Sequence, residues 1–481
     1  MRTPSIARAD VGFRSERGPV LLSVMLCIAL VAIDSTILAT AVPSIVDDLG
    51  GFAQFPWLFS VYLLAQAVSV PIYGKLADQV GRKPIMLFGV ALFVVGSILC
   101  GAAWSMPALI AARAVQGIGA GAVAPMSMTI IGDLYSVRER ARVQGYLASV
   151  WGASSIIGPT LGGVFSDFLT WRWIFFVNVP LGALAAWMLV RHFSEQLDRR
   201  KHRIDYAGAL LLAAGSSLLI LGLLEGGVLW AWSSARSISV LSVATVLLVA
   251  FGLVERRATE PILPGWVFSR RILNGTYLAS LGVGVLLIGL TSYVPLFVQG
   301  VLGTGALVAG FALAAMTVGW PLSAALGGRF YLRIGFRDTA LLGTGFVLVG
   351  SALLYVLSAD SAVWHVGASC FVIGIGLGFI ASPTLVAAQS SVDWAQRGVV
   401  TGTNMFARSI GSALGVAVFG AIANASLADR LDGDGAGSAS DVPAADLDVA
   451  IHQVFVGSAI VGLLLVAAVL LIPRHIDSEA R

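Results

Sequence analysis

Three charged side chains inside long apolar segments are the residues of this sequence best suited to chemistry. Asp34, Arg113 and Arg408 each interrupt an apolar run that is long enough to cross a bilayer. A charge in hydrocarbon is costly, so such residues usually serve a function. A carboxylate stays ionised beside a guanidinium and takes up a proton when the two separate. We therefore expect reversible proton binding at Asp34, with Arg113 and Arg408 as proton-coupling residues.

Asp34 and Arg113 are expected to pair. The first apolar run crosses outward and the fourth inward, which places both residues about 10 Å below the outer surface. Gln116 and Gly117 follow Arg113 at i+3 and i+4, and we expect this face to line a central cavity. Asp34 or a substrate carbonyl is the expected partner of Arg408 in another conformation. The alternative for Asp34 and Arg113 is a fixed ion pair that only holds two helices together.

The elements that position these residues follow from composition. Hydrophobic residues make up 57% of the chain, charged residues only 12%, and the mean hydropathy is +0.89. Without a lasting period-two alternation, the apolar runs predict helices and exclude a barrel, so the expected fold is an all-α polytopic membrane protein. Fourteen spans are predicted, at 20–41, 56–74, 84–103, 107–131, 144–166, 171–190, 205–226, 237–254, 273–298, 304–327, 338–357, 362–387, 398–422 and 451–472.

The distribution of basic residues predicts the orientation. Most of the 30 Lys and Arg residues fall in alternate loops on the side of the N-terminal tail, which is the cytoplasmic side by the positive-inside rule. Both termini are then cytoplasmic. The expected organisation is a tail at 1–19, helical bundles at 20–190 and 273–472, two additional spans at 205–254, an external acidic loop at 423–450 and a tail at 473–481.

Composition also excludes several classes of function. The basic residues are dispersed over short loops, so the pI of 9.1 does not indicate a nucleic-acid partner. The three cysteines lie in apolar runs, and the five histidines are scattered without metal-ligand spacing. No nucleophile elbow or phosphate-binding loop is present. The sequence therefore predicts neither an enzyme nor a metal site, and the bilayer is the expected environment.

A loop pattern occurs twice. The first copy, GKLADQVGRKP, supplies Gly74, Asp78, Gly81, Arg82 and Lys83 as candidate gating residues. Its glycines permit a tight turn, and its charged residues can cap or meet helix ends. A weaker copy, GRFYLRIGFR, follows 254 residues later and keeps the glycine spacing, but a leucine replaces the aspartate. The repetition indicates a duplicated unit.

The fifth run carries a second candidate gate. Gly158 and Gly162 form a small-xxx-small pair, which lets two helices approach closely, and Pro159 between them loosens the helix. Gly152 and Gly163 flank this segment. The alternative is plain close packing, because the same glycine spacing recurs in other runs.

A substrate cavity is predicted from polar and aromatic residues within or beside aliphatic spans. Aromatic faces attract organic cations and tolerate varied shapes. The candidates are Tyr62, Gln66, Gln116, Asn178, Tyr293, Phe297, Gln389 and Asn404.

With these motifs, the chain resembles the fourteen-span drug:proton antiporter family of the major facilitator superfamily. GKLADQVGRKP resembles the superfamily loop signature, and AIDSTILATAVP resembles the first-span signature of the fourteen-span family. RAVQGIGAG resembles the fourth-span motif associated with proton coupling, and GASSIIGPTLGG resembles the fifth-span antiporter motif. WRWIFFVNVPLG and NMFARSIGSALG fit the same family.

The resemblance implies two six-helix bundles with two inserted spans, and proton-coupled export of lipophilic, often cationic drugs by alternating access. It implies protons as the coupling ion, no cofactor, a monomer, and a bacterial inner membrane. Three alternatives stay open: an exporter of an endogenous metabolite, lipid or antibiotic; a proton symporter; and a membrane sensor or scaffold that does not transport.

Overall fold

The structure is a computed structural model that describes residues 11–50, 57–195, 205–226, 230–259, 261–428 and 443–474. These residues are helical and contain no β-strand. The helices are α1 (Gly18–Leu49), α2 (Trp57–Val80), α3 (Arg82–Gly101), α4 (Met106–Leu134), α5 (Val137–Phe168), α6 (Trp173–Phe176), α7 (Asn178–His192), α8 (Tyr206–Glu225), α9 (Ala235–Glu255), α10 (Arg271–Leu296), α11 (Ala306–Ile334), α12 (Phe336–Tyr355), α13 (Val363–Ser390), α14 (Arg397–Ala428) and α15 (Ala444–Leu470).

Each of the fourteen predicted spans coincides with a helix, so the all-α prediction is confirmed. Within the described residues, thirteen helices are long and apolar enough to cross a membrane. The other predicted span, 144–166, is the 32-residue helix α5. The sixth span is divided at Val177 into the short α6 and the longer α7.

Two predicted boundaries need correction. Helix α1 continues to Leu49, well beyond the expected end at Ala41. The expected loop 423–450 is helical at both ends, because α14 reaches Ala428 and α15 begins at Ala444. Its middle part, 429–442, lies outside the described residues, as do most of the two predicted tails.

The chain forms two compact units. The first comprises 1–217, 247–264 and 392–406, and the second comprises 218–246, 265–391 and 407–481. Each has its own apolar core: α1, α3 and α4 supply much of the first, and α10, α13 and α15 much of the second. The two additional helices, α8 and α9, are divided between the units, whereas the sequence predicted a separate segment at 205–254.

The two units repeat one packing arrangement. In the first, a Cβ at Gly117 of α4 would lie 2.5 Å from the carbonyl oxygen of Tyr62 in α2. In the second, a Cβ at Gly374 of α13 would lie 2.2 Å from the carbonyl oxygen of Met316 in α11. Both contacts require glycine, because any side chain would separate the backbones. Tyr62 and Met316 are 254 residues apart, the same offset as the two loop copies.

The turns of the two loop copies also match. Gly81 precedes α3 with a φ of 108°, and Gly335 precedes α12 with a φ of 89°. Side chains disfavour this backbone region, so both positions select glycine. The duplicated unit predicted from the sequence is thus present in backbone conformation as well as in spacing.

Candidate functional site

Asp34 lies at the centre of a buried polar cluster in the first unit. Its Oδ2 accepts a hydrogen bond of 2.7 Å from Nη1 of Arg113, which is also the ion pair expected from the sequence. Its Oδ1 accepts from Nε2 of Gln116 at 2.8 Å and from Nδ2 of Asn178 at 2.9 Å. Helices α1, α4 and α7 therefore converge on one carboxylate, and both of its oxygens are satisfied.

Arg113 is held as tightly as its partner. Its Nε donates to the carbonyl oxygen of Leu58 at 3.1 Å, and its Nη1 also donates to Oε1 of Gln116 at 2.6 Å. The ring of Tyr62 lies 4.1 Å from the guanidinium carbon, a cation–π contact that adds stabilisation in a desolvated site. The pair is electrically neutral and almost completely buried.

Ser97 of α3 belongs to this cluster and was missed by sequence reasoning. Its Oγ accepts from Nε2 of Gln116 at 2.8 Å and from Nδ2 of Asn178 at 3.3 Å. It therefore orients both amides that donate to Asp34. A single serine in an apolar run gives no sequence signal, since serines in transmembrane helices commonly bond to their own backbone.

The cluster surrounds the Asp34 carboxylate with hydrogen-bond donors. In the ionised state Asp34 accepts three hydrogen bonds, which stabilise the charge. Addition of a proton would remove the negative charge facing Arg113 and turn one acceptor into a donor, so the arrangement would have to change. The hydrogen bonds of Asp34 thus connect α1 to both α4 and α7.

A second charged cluster surrounds Asp78 at the end of α2. Its Oδ1 and Oδ2 accept from the backbone N–H groups of Gly398 and Val399 at 3.1 and 2.9 Å. These are the first free N–H groups of α14, so the carboxylate caps the positive end of that helix dipole. Close approach is possible because Gly74 lies against Gly398, where a Cβ would meet backbone oxygen at 2.6 Å.

Arg82 connects Asp78 to other acids. Its Nη2 lies 2.8 Å from Oδ1 of Asp78, and its Nε lies 3.1 Å from Oδ2 of Asp133 at the end of α4. Its guanidinium carbon stacks 3.8 Å above the ring of Trp394. Arg397, the first residue of α14, also contacts Asp133, at 3.1 Å. A fully buried guanidinium thus has carboxylate and aromatic partners.

The start of α3 is capped by a residue that the sequence did not identify. The carboxylate of Glu195 accepts from the backbone N–H groups of Arg82 and Lys83, each at 3.1 Å. The ammonium of Lys83 donates to the carbonyl oxygens of Val190 and Phe193 at the end of α7. The sequence shows only that four further residues of this cluster are charged or aromatic and lie near helix ends. Their partners are distant in sequence, so their roles could not be predicted; they are Glu195, Asp133, Trp394 and Arg397.

The glycines of α5 have unequal roles. A Cβ at Gly158 would lie 2.0 Å from Oγ1 and 2.8 Å from Cβ of Thr36 in α1, whereas a Cβ at Gly152 would meet nothing within 4 Å. Thr36 also donates to the carbonyl oxygen of Ser154 at 3.0 Å. Gly158 thus sits at the tight α1–α5 contact, and Gly162 lies one turn further along the buried face. The side-chain surroundings of Pro159 and position 163 lie outside the described residues.

We expect Gly158→Ala to lower the transport rate by about tenfold or to destabilise the protein by about 1–3 kcal/mol, because overpacking displaces Thr36 and α1. The matched variant Gly152→Ala should leave both unchanged. Initial transport rates and thermal unfolding of the purified variants measure the two effects. If the two variants had the same transport rate and the same stability, the close α1–α5 contact at Gly158 would have no special role.

The predicted cavity residues occupy several environments. Tyr62, Gln116 and Asn178 are buried in the Asp34 cluster, which corrects the expectation that the Gln116 face of α4 lines an open cavity. Gly117, on that face, packs on α2. Gln389 is buried near the end of α13.

The remaining candidates also differ. Phe297 is fully buried in the core of the second unit, where it contacts Phe455 and His452 edge-on, so the expected cavity position is wrong for this residue. Asn404 of α14 is buried, whereas Gln66 of α2 and Tyr293 of α10 are partly exposed. The described residues contain no group of three potential metal ligands.

Arg408 differs from the other two span-interior charges. It lies near the midpoint of the span Trp394–Ala423, and its side chain is partly exposed. Its backbone oxygen accepts from Oγ of Ser412 at 3.1 Å. Among the described residues no ion pair or hydrogen bond involves its guanidinium.

Comparison with known proteins gives a consistent family assignment. Residues 24–416 match the Major Facilitator Superfamily model. Multidrug resistance protein 3 of Bacillus subtilis is 38% identical over 403 residues, covering 84% of this chain and 79% of the relative. Multidrug transporter protein MdtP of the same organism is 34% identical over 414 residues, covering 86% and 76%.

A structural relative supports the fold. The crystal structure of the human organic anion transporter MFSD10 (TETRAN) superposes with a TM-score of 0.65 at 16% identity and covers 95% of this chain and 99% of its own. At this identity the likeness concerns the fold alone. With the family match over most of the chain, these findings show that the protein belongs to the Major Facilitator Superfamily and is a membrane transporter and not an enzyme.

Proposed function

We propose that this protein is a proton-coupled antiporter that exports lipophilic small molecules by alternating access. The names of its relatives from Bacillus subtilis, which describe multidrug resistance and transport, support the export of drugs or toxic compounds. The proposed location is the bacterial inner membrane, with both termini cytoplasmic, because basic residues concentrate on one side.

The observation that carries the proposal is the burial of a fully coordinated acid, Asp34, inside helices that must move. A carboxylate surrounded by Arg113, Gln116 and Asn178 can hold its charge only while these donors stay in place. If helix movement separates Asp34 from Arg113, the carboxylate gains a proton, and the return movement releases it. Substrate and proton would thus be bound in alternate conformations.

The Asp78 cluster supplies a gate in this scheme. The carboxylate holds the first turn of α14 against α2 through two backbone N–H groups. We propose that this contact closes the cytoplasmic end and must break each time that end opens. The buried Arg82, with several partners, favours re-formation of the closed arrangement.

The energy available is sufficient for export. A proton that enters down about 100 mV and one pH unit releases about 2.3 kcal/mol from the voltage and about 1.4 kcal/mol from the pH difference. For a neutral substrate this supports a gradient of several hundredfold. For a monovalent cation exchanged one for one the voltage contributions cancel, so only the pH difference drives export.

Purified protein in liposomes tests the proposal with ethidium as the probe. We expect a pH gradient, acidic inside, to drive ethidium accumulation when valinomycin and equal potassium concentrations hold the voltage at zero. Nigericin, which dissipates the pH gradient, should abolish accumulation. Accumulation that survives nigericin, or that requires a voltage instead of a pH difference, would contradict one-for-one proton antiport.

A further inference from the structure

Arg408 is a charge at the centre of a span with no counter-charge. The span Trp394–Ala423 has 30 residues, so Arg408 stands about 20 Å along the helix from either end. A guanidinium at this position is too far along the helix to reach a lipid headgroup by extending its side chain. Such a residue requires a partner within the protein or a ligand.

The described residues of the second unit, to which Arg408 belongs, provide no such partner. Arg113, the comparable arginine of the first unit, has a carboxylate, an amide, a backbone carbonyl and an aromatic ring around its guanidinium. Arg408 has none of these, although its backbone is fixed. A Cβ at Gly284 of α10 would lie 2.0 Å from its carbonyl oxygen, so α10 packs directly on the Arg408 backbone. The backbone of α14 at Arg408 thus lies against α10, whereas the guanidinium has no partner among the described residues of the second unit.

The charges inside the described spans do not cancel. Every other charged residue of the described helices lies within five residues of a helix end, so the interior charges are those of Asp34, Arg113 and Arg408. Among the described spans of the second unit, Arg408 is the only one of these three, and its positive charge favours an anionic substrate group over a cationic one.

We propose that Arg408 binds a carboxylate or sulfonate group of the transported molecule. The guanidinium fork matches the two oxygens of such a group and is weakly hydrated, which suits recognition away from water. The substrate class is then an amphiphile with an apolar body and one oxyanion, carried as an anion or a zwitterion. This inference rests on the proposed transport function and adds a preference for an oxyanion to the lipophilic, often cationic substrates expected from the sequence.

Two dyes that differ in one group test this assignment. Rhodamine 110 carries a free carboxylate, and rhodamine 123 is its methyl ester, so size and rings are nearly the same. We expect wild-type protein in inside-out vesicles, energised by a pH gradient, to take up rhodamine 110 with the higher kcat/KM. Arg408→Gln should reduce uptake of rhodamine 110 about tenfold to a hundredfold and leave rhodamine 123 within about twofold, as expected for loss of a charge-assisted hydrogen bond.

Further variants separate recognition from folding and coupling. Arg408→Lys keeps the charge without the fork and should restore part of the rhodamine 110 uptake. Arg474→Gln, at an exposed arginine of the same unit, should change neither dye. An equal loss of both dyes in Arg408→Gln, or a wild-type preference for the ester, would overturn the inference. So would transport of ethidium with uptake of neither dye, whereas failure to transport any of the three probes would refute the proposed function itself.

Discussion

Asp34→Asn should abolish proton coupling while the protein still reaches the membrane. Asparagine keeps the size of the side chain and one acceptor oxygen, but it cannot change its charge. Substrate-induced proton movement should therefore fall to background, and uphill accumulation of ethidium should disappear. Exchange of internal for external substrate should persist, because it needs no change of protonation. Proton release is measured with a pH-sensitive dye trapped in liposomes that contain the purified variant.

Asp48→Asn is the matched control in the same helix. Asp48 lies beyond the candidate span Gly18–Leu38 and pairs with Arg172 at 2.7 Å in an exposed position. The Arg172 guanidinium and the Trp171 indole hold the pKa of Asp48 below its ordinary value, so this acid is ionised at neutral pH. Loss of an exposed pair costs about 0–1 kcal/mol, and coupling should be normal. Normal proton-coupled uptake by Asp34→Asn would show that another group carries the proton.

The second large effect is expected for Asp78→Asn. The change removes the negative charge at the first turn of α14 and one of the carboxylates around buried Arg82. Loss of the interaction at the helix end alone should lower the free energy of unfolding by about 0.3–2 kcal/mol. The buried arginine, left without this carboxylate, should lower it further. We expect the transport rate to fall about tenfold to a hundredfold, because the closed arrangement of the gate becomes less populated.

Gate opening can be measured directly by cysteine labelling, whereas a transport rate reports it only indirectly. In a cysteine-free background, Thr401→Cys places a thiol at a fully buried position near the contact between α14 and α2. Its labelling by a water-soluble maleimide should be faster when Asp78→Asn is added. Asp393→Asn changes an exposed acid just before the same helix and should not affect labelling. If Asp78→Asn changed neither labelling nor transport, the cluster would be a static support and not a gate.

The sequence alone was sufficient for the class of fold and for the central ion pair. Apolar run length and composition act locally, residue by residue, and they predicted the position of each long helix among the described residues. The pairing of Asp34 with Arg113 was predicted from the orientation of their helices and a fixed rise per residue, and the ion pair is present. The duplication could be predicted because Gly81 and Gly335 both adopt a positive φ. This backbone conformation selects glycine, so the same residue recurs at the same place in both copies of the loop.

Only the tertiary structure decided which polar groups meet. Ser97 and Asn178 join Asp34, and Asp78 caps a helix that begins more than 300 residues later, although none of these pairings has a local pattern. Phe297 is an aromatic residue of the type that often binds ligands, yet its ring is buried in the core of the second unit. Hydropathy describes the free energy of transferring a single residue from water to an apolar environment. Hydrogen bonds and packing depend instead on neighbours that only the fold brings together. For the same reason, the sequence located Arg408 in a span, and only the packed helices left it without a partner.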